Sequence, residues 1–323
     1  MKKKGRNNRK KSQGAGRYIA PAFLVLVAIA ACVYFASNFV GQKKSEEQKQ
    51  QSRILAGASV KPVHPPISST FGEYTAYAPE EKIPLPEKAV PPVNITATGR
   101  AKGVLSIIVD DMGSSMTEAK ELASIGLPLT FSIIPGLPHS SDVAAFALSR
   151  GIEYMIHIPM QSKGWPERRL EENGLLVSMD EEEIKSRMAD YYRLLPGASG
   201  ANNHMGSEFT EHEEKMRPVL SFLKEKGLFF IDSVTTPGTA GYRLAREMGI
   251  RSGRRAVFLD NEQKRDYIAG QLKEAVMTAG KKGYAIAICH PHPATISALA
   301  EILPRISSDG VRLLPVSVLL GSF

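Results

Sequence analysis

From Gly103 onward, strand-length apolar runs alternate with amphipathic stretches, and this pattern leaves few folds open. The runs are VLSIIV (104–109), LTFSII (129–134), EYMIHI (153–158), GLFFID (227–232), AVFLD (256–260), YAIAIC (284–289) and VRLLPV (311–316). GASGANNHMGS adds a short strand and its loop. Between the runs lie helical patterns. SMTEAKELASIG has Ser115 as N-cap and Gly126 as a stop, and DEEEIKSRMADYYRLL ends at Pro196-Gly197. Others are SSDVAAFALSRG, EHEEKMRPVLSFLKEKG and EQKRDYIAGQLKEAVMTAGKKG. Near-continuous apolar strands separated by helices are parallel strands covered on both faces. The pattern suits an α/β fold, a (β/α) barrel of about seven parallel strands, better than an open sheet, though pattern alone does not separate the two. In either architecture a ligand site lies at the C-terminal ends of the strands.

Five strand ends carry polar side chains: Asp110 and Asp111, His157, the Asn202-Asn203-His204 segment, Asp232 with Ser233, and His290 to His292. If the strands are parallel, these groups converge on one rim. Each also has an ordinary use. The paired aspartates stand where an N-cap and a helix dipole favour anions. His157 suits a satisfied core histidine, His204 a turn, Asp232 a cap, and His290 with His292 a polar loop. Adjacent carboxylates repel, and a cation between them and the histidines would relieve that cost. One metal site accounts for all five groups together. Gly113 marks the place where the first strand would end. His64, His139, His212 and Cys289 read as structural. The loop GWPERRLEENG (164–174), with Trp165, reads as a lid or a substrate wall.

The N-terminal third has another character. Residues 1–17 hold eight Lys/Arg and no acid, which is the whole of the +8 net charge of the 323-residue chain. The remainder is balanced, so a basic groove for nucleic acid is not expected. Residues 18–40 carry no charge and as a helix would span about 35 Å, enough to cross a bilayer. The positive-inside rule puts the tail in the cytoplasm and the rest outside. The expectation is therefore a basic tail (1–17), an inner-membrane anchor (18–40), a Pro-rich spacer (41–102) and an extracytoplasmic domain (103–323). A cleaved signal peptide is the alternative. With two cysteines there is no disulfide framework.

Six stretches add a resemblance: IIVDDMG (107–113), LPLTFSIIPG (127–136), IEYMIHIPMQ (152–161), GANNHMGS (200–207), FFIDSVT (229–235) and AICHPHP (287–293). In order and spacing, residues 103–320 resemble the divergent polysaccharide deacetylases, relatives of the NodB-type carbohydrate esterases. The resemblance implies a distorted (β/α) barrel and a metal-dependent hydrolase that removes acetyl groups from an envelope polysaccharide. Carried over by position, Asp110 resembles the general base, Asp111 a metal-binding carboxylate, and His157 the first metal-binding histidine. His290 resembles the acid that protonates the leaving group, and Asp232 the residue that orients it. In the better-known esterases a second histidine follows the first by four positions; here that place holds Gln161. His204 is inferred to replace it, giving Asp111, His157 and His204, a set suited to Zn2+ with one open position. The candidates for substrate contact are Asn202, Asn203, Ser207, Trp165 and His292. The Arg-x-Pro stretch of those esterases is also missing. A glycan-binding scaffold that kept the fold and lost the reaction is the alternative function.

Overall fold

A computed structural model describes residues 102–306 and 310–322. The expected tail, anchor and nearly all of the spacer lie outside the described residues. Among those described, no helix is long and apolar enough to cross a membrane.

The described residues form nine strands: β1 (Gly103–Met112), β2 (Thr130–Ile133), β3 (Glu153–Met160), β4 (Gly200–Met205), β5 (Phe229–Asp232), β6 (Ser252–Arg254), β7 (Val257–Phe258), β8 (Tyr284–Cys289) and β9 (Val311–Leu313). Their order is β6-β5-β4-β3-β2-β1-β8-β7, with β9 also on β1, and every pairing is parallel. The two edge strands β6 and β7 are separated in the chain only by Arg255 and Ala256. Three residue steps span at most about 11 Å. The sheet must therefore curl until its edges meet, giving a barrel with one unpaired seam. β6 is the strand the sequence did not suggest. Ser252-Gly253-Arg254 buries only the glycine, so no apolar run marks it.

Eight helices cover the sheet: α1 (Met116–Ser124), α2 (Ser140–Ser149), α3 (Glu181–Leu194), α4 (Glu213–Glu225), α5 (Gly241–Glu247), α6 (Arg265–Lys282), α7 (Pro293–Ile306) and α8 (Val316–Leu320). Ser115 caps α1, its hydroxyl accepting from the amides of Thr117 and Glu118. Asp180 and Glu183 form a reciprocal capping box at α3.

Side-chain alternation divides the core in two. Leu105, Ile107 and Val109 of β1, with Phe131, Ile133, Ile156 and Ile158, pack outward against helices. Ile108, Met155, Phe229, Ile231, Ile286 and Ile288 point inward and meet Val316, Leu319 and Leu320 of α8. α8 seals the bottom of the barrel. The Ser317 amide donates to the Glu153 carboxylate at 3.2 Å, and the Ser106 hydroxyl donates to the Leu314 carbonyl at 2.7 Å. The bottom is thus apolar and closed by hydrogen bonds, and the top is left for chemistry.

Gly200 opens β4 directly beside the Phe229 ring, and a Cβ there would stand 2.2 Å from it. Gly270, within α6, has nothing within 4 Å of such a Cβ. Gly200→Ala is expected to destabilise the protein by about 1–3 kcal/mol through overpacking. Gly270→Ala is expected to stabilise it by roughly 0.5–1 kcal/mol through helix propensity. Urea-unfolding midpoints of the two variants check this.

Candidate metal centre

β1 does not end before its two carboxylates; it runs on to Met112. Regular alternation would send Asp110 inward and Asp111 out toward the helices. A bulge prevents this. Val109 pairs with Phe131 and Met112 pairs with Ile133, so β1 holds one residue more than β2 over that stretch. Asp111 takes φ +56 within it, a left-handed conformation that Asp tolerates better than most residues. Its carboxylate is thereby turned onto the rim beside Asp110.

There it meets two histidines. Asp111 Oδ1 lies 3.1 Å from His157 Nε2 and 2.8 Å from His204 Nδ1, and the two nitrogens are 3.2 Å apart. An ion with ligand bonds near 2.0–2.2 Å in tetrahedral geometry separates its donor atoms by roughly 3.4 Å. The triangle is close to that size. The hydrogen-bond chemistry also fits. His157 Nδ1 donates to Asn202 Oδ1 at 2.6 Å, which leaves Nε2 as the atom that would offer a lone pair to an ion. The donor set of two imidazoles and one carboxylate fits a divalent ion. Asp111, His157 and His204 are the three residues expected to hold it, and all three line one cavity of about 630 Å³.

Asn202 is the hub behind this group. Its Oδ1 also accepts from Ser132 Oγ at 2.6 Å, and its Nδ2 donates to Asp110 Oδ1 at 2.8 Å. Asp110 is 3% exposed. Burial pushes its carboxyl above the usual range, against the pull of His157, His290 and the Asn202 hydrogen bond. Burial acts on Asp111 in the same direction, but hydrogen bonds from His157 and His204 win and hold it well below that range.

His290 stands on the other side, its Nε2 3.8 Å from Asp111 Oδ2. It is oriented by Asp260, and the expectation that Asp232 does this is corrected. Asp260 accepts from the His290 amide at 2.7 Å, from His290 Nδ1 at 3.1 Å and from Thr295 Oγ1 at 2.9 Å. Burial lowers the His290 pKa, but the Asp260 hydrogen bond and the charges of Asp111 and Asp110 raise it to about 9. Asp232 shares its parity with Phe230, which packs in the outer layer. Its carboxylate accepts from the Val234 amide, the Thr239 hydroxyl and the Tyr242 amide, each at 2.9 Å. It braces a turn in which Val234 takes φ +51, a strained conformation for a β-branched residue.

The expected substrate contacts divide. Asn202 is fully buried and spends its amide on the network above, so it positions other residues instead of touching a substrate. Asn203 lines the cavity. Its amide is committed to the Met205 carbonyl and the Ser233 amide, tying the ends of β4 and β5 together. Ser207 lines the cavity and accepts from the Lys163 amide. Neither Trp165, which is 42% exposed, nor the half-buried His292 beside His290 lines the cavity. Asp260, His290 and His292 form a second compact group. Its Asp260 oxygens and His290 Nδ1 are already hydrogen-bonded to one another or to Thr295. Gln161 is no ligand: its Oε1 accepts from the Val177 amide at 2.9 Å and clamps the loop that follows β3.

Asp260 and Arg255 were missed in the sequence. Arg255 lines the cavity, donates to the carbonyls of Ser233 and Val234, and lies 5.0 Å from the Phe258 ring centroid. Burial lowers its pKa, and the charge of Asp110 opposes this. Asp260 ends the run AVFLD and could have been found had its parity been known.

A family model described as divergent polysaccharide deacetylase matches residues 107–320. The uncharacterized protein YibQ of Escherichia coli K12 is 34% identical over 219 residues, which is 68% of this chain and 68% of that one. A Haemophilus influenzae protein is 33% identical over 214 residues, or 66% of this chain and 76% of its own. The crystal structure of ATU2773 from Agrobacterium tumefaciens C58 superposes with a TM-score of 0.64 at 21% identity, over 69% of this chain and 91% of that one. It shares the fold.

The His290–Asp260 contact makes a titration testable. In Asp260→Asn the hydrogen bond and charge of Asp260 are lost while burial and the charges of Asp111 and Asp110 remain, so the His290 pKa should fall below about 9. Asp232→Asn should leave it near 9. Ring-nitrogen NMR shifts of the ion-free protein against pH report this. Because the folded pKa of about 9 lies above the unfolded one, the contact's stabilisation should be complete below about pH 6.5 and be lost as pH rises through the folded value.

Proposed function

The chain belongs to the divergent polysaccharide deacetylase family, and from that premise we propose that it is a metal-dependent hydrolase removing acetyl groups from an N- or O-acetylated envelope polysaccharide. One observation carries the reading: Asp111, His157 and His204 converge on a single point, with Asp110 and His290 on either side of it. The proposal includes an N-terminal anchor, supported by the charge-free run 18–40 behind its basic tail.

A divalent ion at Asp111, His157 and His204, Zn2+ being the natural fit, would supply Lewis acidity to the acyl carbonyl and acidify the attacking water. The remaining steps belong to the chain. Asn202 holds Asp110 Oδ1, which leaves Oδ2 3.6 Å from His157 Nε2 on the rim. Asp110 takes the proton of the attacking water, and its raised pKa makes it the stronger base. The new C–O bond forms at the acetyl carbon, and the bond to the sugar nitrogen or oxygen breaks. His290 donates its Nε2 proton to that leaving atom while Asp260 keeps hold of Nδ1. Water plus acetylated sugar thus gives acetate plus the free amine or hydroxyl.

The scaffold alternative drew on Gln161 and the missing Arg-x-Pro stretch. His204 now offers the nitrogen that Gln161 lacks, which supports the enzymatic reading, whereas Arg255 lines the cavity but is tied to the Ser233 and Val234 carbonyls.

Acetate release from acetylated oligosaccharides tests it. Asp110→Asn should keep bound Zn2+ and lose roughly 10²–10⁴-fold in kcat. Asp111→Ala and His204→Ala should lose the metal itself, read by elemental analysis. The wild-type rate should rise with pH as Asp110 deprotonates and fall at higher pH as His290 loses its proton. A wild-type chain that holds zinc and binds the glycan but frees no acetate would establish the scaffold reading instead.

A further inference from the structure

His204 has two ring nitrogens, and only one faces the triad. Nδ1 lies 2.8 Å from Asp111 Oδ1; Nε2 points the other way, toward Glu171 Oε2 at 3.8 Å. That oxygen is buried and has no hydrogen-bond partner among the described residues. A buried acceptor without a donor is costly, and native structures seldom leave one so. If Nδ1 gives its lone pair to an ion, the ring proton must sit on Nε2. The unpaired donor then faces the unpaired acceptor, and a small turn of either side chain closes the remaining ångström.

The backbone that follows Glu171 is fixed by a run of hydrogen bonds. The Glu172 carbonyl accepts from Arg187, and Asn173 donates to the Pro135 carbonyl at 2.8 Å while its own carbonyl accepts from the Tyr191 hydroxyl. Further on, the Gly174 amide bonds back to the Glu171 carbonyl at 2.8 Å, Leu175 is fully buried, and Gln161 fixes the Val177 amide. The loop is therefore built onto the end of β3 and presents Glu171 to His204.

Resting on the metal reading above, we propose that Glu171 is a positioning residue: it accepts the Nε2 proton of His204 and fixes the tautomer that offers Nδ1 to the ion. Partners of this kind orient a ligating imidazole and raise its basicity, and their loss typically weakens metal binding 10–100-fold. The residue that clamps this loop, Gln161, occupies the place where the resembling esterases carry a second histidine. The substitution thus removes one candidate ligand and anchors the segment that supports another.

The test is metal affinity of the full-length chain, measured by Zn2+ competition with a chromogenic chelator and by the visible spectrum of the Co2+-loaded protein. Glu171→Gln keeps the shape and removes the charge. It should weaken Zn2+ binding about 10–100-fold and alter the Co2+ absorption, while the unfolding midpoint of the ion-free protein does not fall. Glu172→Gln, in the same loop, should change neither. Wild-type affinity in Glu171→Gln overturns the inference, and so does a loss that comes only with a lower ion-free midpoint, which marks a structural role. A wild-type chain that holds neither Zn2+ nor Co2+ overturns the metal reading and this inference with it, whereas tight binding indifferent to Glu171 overturns the inference alone.

Discussion

Alternation along a strand decides which head groups can meet before any attraction between them acts. Asp110, His157 and His290 fall on the rows of Ile108, Met155 and Ile288, which fill the barrel interior. Asn202 and His204 follow Gly200, whose missing side chain makes room for the inward Phe229 ring. All these residues reach the top of the barrel because of their row. Asp111 alone is on the wrong one. The extra residue in β1 and a left-handed backbone bring it back, at a local cost on the order of 1 kcal/mol or more. Hydrogen bonds to two histidines offset that cost.

The two neighbouring carboxylates then part electrostatically. Asp110 is buried, and burial shifts it toward the neutral form; Asp111 is also buried, yet its two histidine contacts hold it ionised. Environments that push paired acids apart assign them different work. The ionised one suits a cation, and the more basic one suits a proton in transit. On the far side, the Asp260 hydrogen bond and the nearby carboxylates raise the His290 pKa to about 9 despite burial. These surroundings suit the three different roles proposed for them.

Much of this was legible in the sequence, for a definite reason. Parallel strands of a covered sheet are apolar over their whole length, so the first polar residue after each run announces the rim. That gave Asp110, Asp111, His157, His204 and His290, together with the barrel. The same property hid parity. In GLFFID every residue from Leu228 to the aspartate is buried, and nothing in the letters tells whether Asp232 follows the inner or the outer row. It follows the outer one, and Asp260, two positions after the inward Phe258, takes the place beside His290. β6 and the bulge were invisible because each depends on a backbone path and not on a run of residue types. Glu171 was equally hidden, since its meaning comes from a loop folded back over a distant strand.

Left-handed backbone at non-glycine residues gathers at the upper rim, at Asp111, Met205 and Val234, each at or just past a strand end. Such strain persists only where neighbours over-determine it. Asn203 holds the Met205 carbonyl; Asp232 and Arg255 hold the two sides of the Val234 peptide unit. These residues are polar, buried or partly buried, and grouped near the cavity, the same marks by which a catalytic group is recognised. Their hydrogen-bond partners separate the two classes. A polar side chain saturated by backbone amides and carbonyls is holding geometry. One whose partners are other side chains at the cavity wall, as with Asp111 and His204, is available for chemistry. By that criterion Asp232 belongs to the frame, and the strained rim it maintains is what keeps the ends of β4 and β5 tied together beside the ligands.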